Sequence, residues 1–184
     1  MSILKVARMG HPILRARALP VTPSEISSPS IQRLIDDMVE TMHEYAGIGL
    51  AAPQVHVGLR LFVAGLRLED VVPERDDRQE MPLIVLINPE LTLSTEPAEA
   101  AWEGCLSIPD IRGLVPRAPQ ILVRAYDRLG RRVEFSSKGL PSRVIQHETD
   151  HLDGRLFFDR MPTFDSLTYM DEYHRYWRKD EDAE

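Results

Sequence analysis

The chain has 184 residues, one cysteine and a formal net charge of −7 at pH 7. This length predicts a single domain over residues 1–184 with a substantial core, and the acidic balance argues against a general binder of DNA or membrane surfaces. One cysteine excludes an internal disulfide bond and fits a reducing, cytoplasmic compartment. We expect neither a signal peptide nor a membrane span, because the start lacks a long apolar run and no stretch of about 18 apolar residues occurs.

The first part of the chain predicts an irregular lead-in followed by one long helix. Residues 1–30 contain four of the fourteen prolines, which favours an extended, turn-rich segment. Ser28 is a candidate N-cap and Pro29 suits the first helical position. Apolar residues then recur at i, i+3 and i+4 until Gly47 ends the pattern. This pattern predicts an amphipathic helix that faces the core.

Strands dominate the middle of the chain. Apolar and β-branched runs predict strands over 59–66, 83–88, 90–95, 120–127 and 132–136. Pro89 separates the second strand from the third, and a turn at Leu129-Gly130 makes the last two a hairpin. The charged, proline-containing stretch 69–81 predicts an exposed loop.

Two further helices are predicted. The first runs from about 141 to 152 and stops at Gly154, and the second is an amphipathic helix from about 164 to 179. Mostly antiparallel β-sheets combined with a few helices, one near the N-terminus and one at the C-terminus, define an α+β fold.

The helix over 141–152 carries the sequence HETDH at residues 147–151. Because a helix turns once in about 3.6 residues, His147 and His151 share a face and can bind one metal ion. Glu148 lies beside the position that such an ion would leave open, where a carboxylate can take a proton from water and pass it to a leaving amine. The alternative for Glu148 is a solvated surface residue.

The single cysteine lies in the segment EGCLS at residues 103–107. A thiolate from Cys105 and two imidazoles would make a three-ligand site with an open fourth position, which is typical of catalysis because a water bound there can be activated. Sulfur in the ligand set favours a divalent transition metal such as iron(II), zinc, cobalt or nickel. The alternative is that Cys105 is a small residue of the core.

A third segment, GIGLAAPQ, occupies residues 47–54 between the first helix and a strand. Its two glycines let the backbone approach another chain or a ligand closely. The amide of Gln54 can donate a hydrogen bond to an oxyanion. Taken alone, the segment is better explained as a glycine-containing turn.

Together, the segments GIGLAAPQ, EGCLS and QHETDH resemble the three signature motifs of the peptide deformylase family and stand in that family's order. The resemblance covers about residues 4–162, which it implies to be the catalytic core, and includes VPR at 115–117. It implies an α+β fold with the motif helix packed centrally between sheets. It also implies hydrolysis of the formyl group from the N-terminal formylmethionine of newly made proteins, with release of formate.

The resemblance assigns roles to residues beside the metal motif. It implies that Gln54 and the backbone N–H of Leu106 stabilise the oxyanion that forms when the formyl carbonyl is attacked. It also implies that Ile48 and Gly49 pair with the substrate backbone, as an added strand would.

A methionine pocket is implied in the same way, with Leu140, Arg143, Val144 and His147 as its lining. Arg143 departs from the apolar residue that the family often carries there. We expect its aliphatic stem to line the pocket while its guanidinium reaches water. Arg112 occupies a position where many members carry an arginine at the pocket rim, so it is a candidate for substrate contact.

For the cofactor and partners, the resemblance implies one iron(II) ion in the cell, with zinc, nickel or cobalt as substitutes, and formylmethionyl nascent peptides as substrates. Some members dock on the ribosome through a basic C-terminal helix. The tail 165–184 has seven acidic and three basic residues, a balance of −4, and departs from that pattern.

Two alternatives belong to other classes. The first is another metallohydrolase with the same helix motif, such as an endopeptidase, against which Cys105 argues because zincin endopeptidases use His or Glu as the third ligand. The second is a non-catalytic, metal-stabilised binding module, against which the intact Glu148 and Gln54 argue.

A salt bridge is predicted beside the site. Glu103 precedes the cysteine by two residues and Arg117 ends the segment VPR, and both charges lie in segments otherwise suited to burial. Because a buried charge needs a partner, we expect these two side chains to pair and to hold the Cys105 loop beside the motif helix. The alternative is that they are two independent surface charges.

Overall fold

The structure, a computed structural model, describes residues 2–66 and 81–178. Its strands are β1 Gly49–Ala51, β2 Leu61–Leu66, β3 Met81–Leu93, β4 Glu99–Cys105, β5 Ile108–Arg117, β6 Gln120–Tyr126, β7 Arg132–Lys138 and β8 Thr168–Tyr169. Its α-helices are α1 Pro23–Ile26, α2 Pro29–Glu44, α3 Gly139–Leu152 and α4 Met170–Glu172. Short 3-10 turns occupy Pro12–Arg15, Ala52–Val55 and Phe157–Arg160.

The strands form two antiparallel sheets, one in the order β1-β2-β3-β6-β7 and one in the order β4-β5-β8. Helix α3 packs against β1, β2 and β7 of the larger sheet, and its side chains bond to β4 and β5 of the smaller one. This confirms the predicted α+β fold. No helix within the described residues is long and apolar enough to cross a membrane.

Helix α2 begins as predicted. The Ser28 hydroxyl accepts a hydrogen bond from the backbone N–H of Ile31 at 3.4 Å, and Pro29 occupies the first helical position. The helix ends at Glu44, three residues before Gly47, the predicted stop. Ala46 rather than Gly47 takes the left-handed conformation, with φ of +49°. The lead-in before α2 is extended but also contains the turn Pro12–Arg15 and the short helix α1.

The prediction of two strands around Pro89 is wrong, because β3 runs continuously from Met81 to Leu93. The register against β6 shifts between Ile87 and Glu90, and Asn88 takes a φ of +52°. A β-bulge of this kind tolerates proline, which has no N–H to donate to the ladder. The loop predicted over 69–81 lies outside the described residues, except for Met81, which begins β3.

Two hairpins supply four further strands of the sheets. The predicted hairpin of β6 and β7 is confirmed, with Gln120 opposite Lys138 and Tyr126 opposite Arg132. The hairpin of β4 and β5 was missed, and the EGCLS segment forms the end of β4 and the turn that follows it. Helix α3 is confirmed, and Gly154 follows it with a φ of +72°.

The C-terminal segment is helical over a shorter range than 164–179. Thr168 and Tyr169 form β8 and pair with Arg112 and Ile111 of β5. In the described part of this segment, which ends at residue 178, helical turns cover α4 and the π-turn Tyr173–Trp177. The start predicted at 164 is therefore wrong. Backbone pairing with the edge of β5 competes with the local helical pattern, because Thr and Tyr suit a strand.

Candidate metal centre and active site

Helix α3 and the end of β4 bring three metal-binding side chains together. The ligand atoms of Cys105, His147 and His151 all lie within 4.8 Å of one another, and Sγ of Cys105 is 3.2 Å from Nε2 of His151. The two histidines are one helical turn apart, as the i, i+4 spacing predicts. A thiol with two imidazoles is a donor set that suits a divalent transition metal.

The surroundings of the two imidazoles also fit a cation. Nδ1 of His147 lies 2.9 Å from Oε2 of Glu103, which leaves Nε2 for a ligand. Burial lowers the pKa of His151 well below its usual value, so this ring is neutral and keeps a lone pair. Burial acts in the same direction on His147, but hydrogen bonds with Cys105 and Glu103 outweigh it and raise the pKa of His147 well above its usual value. The cluster therefore favours positive charge between the thiol and the carboxylate.

Glu148 is buried beside these ligands. Its Oε1 lies against the α-carbon of Gly49, where a Cβ atom would collide with the carboxylate. Its Oε2 has no hydrogen-bond partner within the described part of the chain. Burial raises the pKa of Glu148 to about 7, although the charge on His147 acts in the opposite direction. A carboxyl group with this pKa can both take and release a proton at neutral pH.

Gln54 is held in one orientation by the turn that follows β1. Its Oε1 accepts a hydrogen bond from the backbone N–H of Ala51 at 2.8 Å. Its Nε2 therefore points into the site, where it lies 3.4 Å from Sγ of Cys105 and 3.2 Å from Oγ of Ser107. The side chain is fully enclosed, so this amide is a fixed donor next to the cluster.

Strand β1 forms one edge of the larger sheet. The backbone N–H of Gly65 donates to the carbonyl of Ile48 at 3.1 Å, so Ile48 faces β2. Because backbone groups alternate in direction along a strand, the N–H and C=O of Gly49 face the opposite side, where a peptide can be added.

A cavity of about 750 Å³ opens over the cluster. Of the residues singled out from the sequence, it is lined by Ile48, Gly49, Gln54, Cys105, Leu106, Arg112, Leu140, Arg143, Val144, His147 and Glu148. His151 lies beneath it and is fully enclosed. Trp102 and Met170 also line the cavity and were missed, because Trp102 lies on a strand that was not predicted and Met170 reaches the site only through the pairing of β8 with β5.

The expectation for the charged end of Arg143 is wrong. Its guanidinium turns away from water and donates to Oε1 of Glu103 at 2.8 Å, to the carbonyl of Val115 at 2.8 Å and to the carbonyl of Glu99 at 2.6 Å. Only 15% of the side chain is exposed. Three acceptors of the β4–β5 hairpin lie within its reach, and hydrogen bonds to a charged donor outweigh its hydration.

The predicted pair of Glu103 and Arg117 is confirmed. Nε and one terminal nitrogen of Arg117 donate to the two carboxylate oxygens at 2.9 and 3.0 Å. The other terminal nitrogen of Arg117 donates to Asp150, which Arg160 also holds at 3.0 Å. Burial raises the pKa of Glu103, but the hydrogen bonds from His147 and Arg117 outweigh burial and hold it well below the usual range. The carboxylate is therefore charged and fixed.

An α+β fold that places two histidines and a glutamate of one helix beside a cysteine defines a metal-dependent hydrolase. Comparison with known proteins narrows this class. The model of the polypeptide deformylase family matches residues 3–166. Peptide deformylase 1 of Bordetella pertussis is 41% identical over 166 residues, or 90% of this chain and 92% of that protein. Peptide deformylase 2 of Xanthomonas campestris is 45% identical over 159 residues, which cover 86% and 87% of the two chains.

Among solved structures, the Met-Ala-Ser-bound crystal structure of a class I type b peptide deformylase from Acinetobacter baumannii superposes with a TM-score of 0.81. It is 41% identical, and the match covers 88% of this chain and 100% of that one. The chain therefore belongs to the peptide deformylase family. It is an enzyme that removes the formyl group from the N-terminus of nascent proteins in a metal-dependent reaction.

Proposed function

We propose that Cys105, His147 and His151 hold one divalent metal ion and that Glu148 is the general acid–base of the deformylation. The observation that carries this proposal is that a thiol and two imidazoles lie within 4.8 Å of one another. Glu148, the residue after His147, adds a buried carboxyl group with a pKa of about 7. A divalent metal held there would lower the pKa of a bound water, to about 7 in favourable sites.

Glu148 would take a proton from the attacking water and deliver it to the leaving amino nitrogen. Its unpartnered Oε2 supports this role, because a carboxylate oxygen without a protein donor can receive the proton. Nε2 of Gln54 and the backbone N–H of Leu106 would hold the oxyanion that forms as water attacks. Loss of one such donor typically costs about 3 kcal/mol of transition-state stabilisation.

Substrate recognition would use the open edge of β1. We place the peptide backbone along Ile48 and Gly49, with the methionine side chain against Leu140, Val144 and the stem of Arg143, and Arg112 at the rim. These residues line one cavity above the metal-binding cluster. The bound Met-Ala-Ser of the Acinetobacter baumannii enzyme supports a peptide that begins with methionine. A formyl carbon carries only hydrogen, so a narrow site admits it and excludes bulkier acyl groups.

For the metal itself we propose iron(II). Zinc, nickel and cobalt would be substitutes, because a single thiolate with two imidazoles accepts all four metals. Protein purified without oxygen should contain about one iron per chain by elemental analysis. The same preparation should release formate from formyl-Met-Ala-Ser and leave unformylated Met-Ala-Ser intact. Cleavage of internal peptide bonds would favour an endopeptidase instead, and absence of any turnover would favour a binding module.

We propose that the whole chain acts as one catalytic domain in the cytoplasm, with a core at about 4–162 and formylmethionyl nascent chains as its partners. If the enzyme acts near the ribosomal exit tunnel, it would not dock there through a basic C-terminal helix, since the tail 165–184 carries seven acidic and three basic residues. Co-sedimentation with ribosomes at low and high salt tests this point, and strong salt-sensitive binding through the tail would contradict it.

A further inference from the structure

Arg143 brings a positively charged side chain to the wall of the proposed methionine pocket. It lines the main cavity and also an adjoining cavity of about 630 Å³, which Met170 and Tyr173 of the C-terminal segment line as well. Leu140 and Ile48 line both cavities as well. A side chain that enters between Leu140 and Ile48 would therefore meet Arg143 where the family often carries an apolar residue.

Not all N–H groups of this guanidinium have acceptors among the residues that the structure describes. Three of its N–H groups meet the acceptors Glu103, Val115 and Glu99, whereas a guanidinium has five N–H groups in all. Its side chain is held still by those bonds and is largely shielded from water, at 15% exposure. A hydrogen bond formed from a fixed, shielded and charged donor is stronger than one formed in water.

We propose that Arg143 lets the pocket accept a first residue whose side chain ends in a hydrogen-bond acceptor, with methionine sulfoxide as the substrate class that it fits. The proposal rests on the proposed deformylase function. A thioether sulfur is a weak acceptor, but oxidation converts it into a polar sulfoxide. In an apolar pocket the sulfoxide oxygen would be buried without a partner, at a cost in binding. Here Arg143 supplies the partner.

The test compares three substrates: formyl-Met-Ala-Ser, the same peptide with methionine sulfoxide, and the same peptide with norleucine. Norleucine matches methionine in shape and has no acceptor. We expect the intact enzyme to process the sulfoxide with a kcat/KM within about tenfold of that for methionine. In Arg143→Leu, the ratio of kcat/KM for sulfoxide over norleucine should fall by about tenfold or more, the scale of a lost hydrogen bond to a charged group.

The ratio between two substrates is independent of the fraction of enzyme that is folded and metal-loaded, so partial damage in Arg143→Leu does not imitate the result. Arg143→Lys, which keeps a charged donor, should recover part of the ratio. An equal ratio in the intact enzyme and in Arg143→Leu would overturn the proposal. So would an intact enzyme that rejects the sulfoxide while it cleaves formyl-methionine. If the intact enzyme released formate from none of the three peptides, the deformylase function itself would be refuted.

Discussion

Oε2 of Glu103 lies 2.9 Å from Nδ1 of His147, and the same carboxylate receives two N–H groups of Arg117. Arg117 orients the carboxylate of Glu103, and this carboxylate in turn orients the imidazole ring of His147. Because Nδ1 of His147 is engaged with the charged carboxylate, Nε2 is the ring nitrogen that would face a metal ion. The orientation of a candidate ligand on α3 thus depends on charges from β4 and β5.

Replacement of Glu103 by glutamine should weaken both the fold and the site. The change leaves Arg117 and Arg143 without their shared carboxylate in a buried place, and removal of one partner of a buried pair costs about 3–5 kcal/mol. Metal affinity or activity should also fall by about 10–100-fold, as for other groups that orient a ligand. Chemical denaturation and metal titration measure the two effects.

Glu134→Gln is the matched control for Glu103→Gln. Glu134 pairs with Arg124, but these side chains are 57% and 53% exposed, so the control should change the free energy of unfolding by less than about 1 kcal/mol. Equal stability and rate in Glu103→Gln and in the control would show that the buried network contributes nothing.

Replacement of Glu148 by alanine should spare the metal and remove most of the activity. We expect a loss of at least about a hundredfold in kcat, the usual scale for a general acid–base. Elemental analysis of the variant, run beside the formate-release assay, separates a proton-transfer role from a ligand role. If purified Glu148→Ala contains no metal, the carboxylate is a ligand and its assignment as general acid–base is wrong.

Replacement of Cys105 by serine should weaken metal binding, because a hydroxyl is a poor substitute for a thiolate. Metal content after dialysis against a weak chelator should drop, and activity should drop with it. A serine variant with full occupancy and full activity would rule out Cys105 as a ligand.

Oxygen should distinguish the iron and zinc forms. The iron(II) enzyme should lose activity in air through oxidation of the metal or of Cys105. The zinc form should survive air and turn over more slowly, as expected for this family. Activity followed over time under air and under argon measures both, and equal, air-stable rates for the two metals would contradict the choice of iron.

Replacement of Gly49 by alanine should displace Glu148, because the new Cβ would collide with its carboxylate. We expect kcat to fall by up to about a hundredfold, the scale of a misplacement of about 1 Å at a reacting group, with the metal retained. Gly58→Ala is the control, since a Cβ there meets nothing within 4 Å. Comparable rates in the two variants would mean that the Glu148 side chain can shift without a loss of activity.

Local patterns accounted for the parts of the fold that depend on near neighbours. Helix α2 follows from the Ser28 cap and an apolar repeat, and the β6–β7 hairpin follows from two apolar runs joined by a short turn. The prediction of two strands separated by Pro89 was wrong, because the bulge that accommodates this proline depends on the register of β3 against β6. The C-terminal start at 164 failed for a similar reason, since β8 exists only by pairing with β5.

The sequence by itself determined the reactive groups: His147 and His151 share a helix face because of the α-helical period, and Glu148 and Cys105 stand in motifs whose residue types carry the chemistry. Only the tertiary structure decided where the charged end of Arg143 lies and which residues close the cavity. Arg143 was expected to reach water, but acceptors on β4 and β5 lie within its reach and bind it. Contacts of this kind join segments far apart in the chain, so no local pattern encodes them.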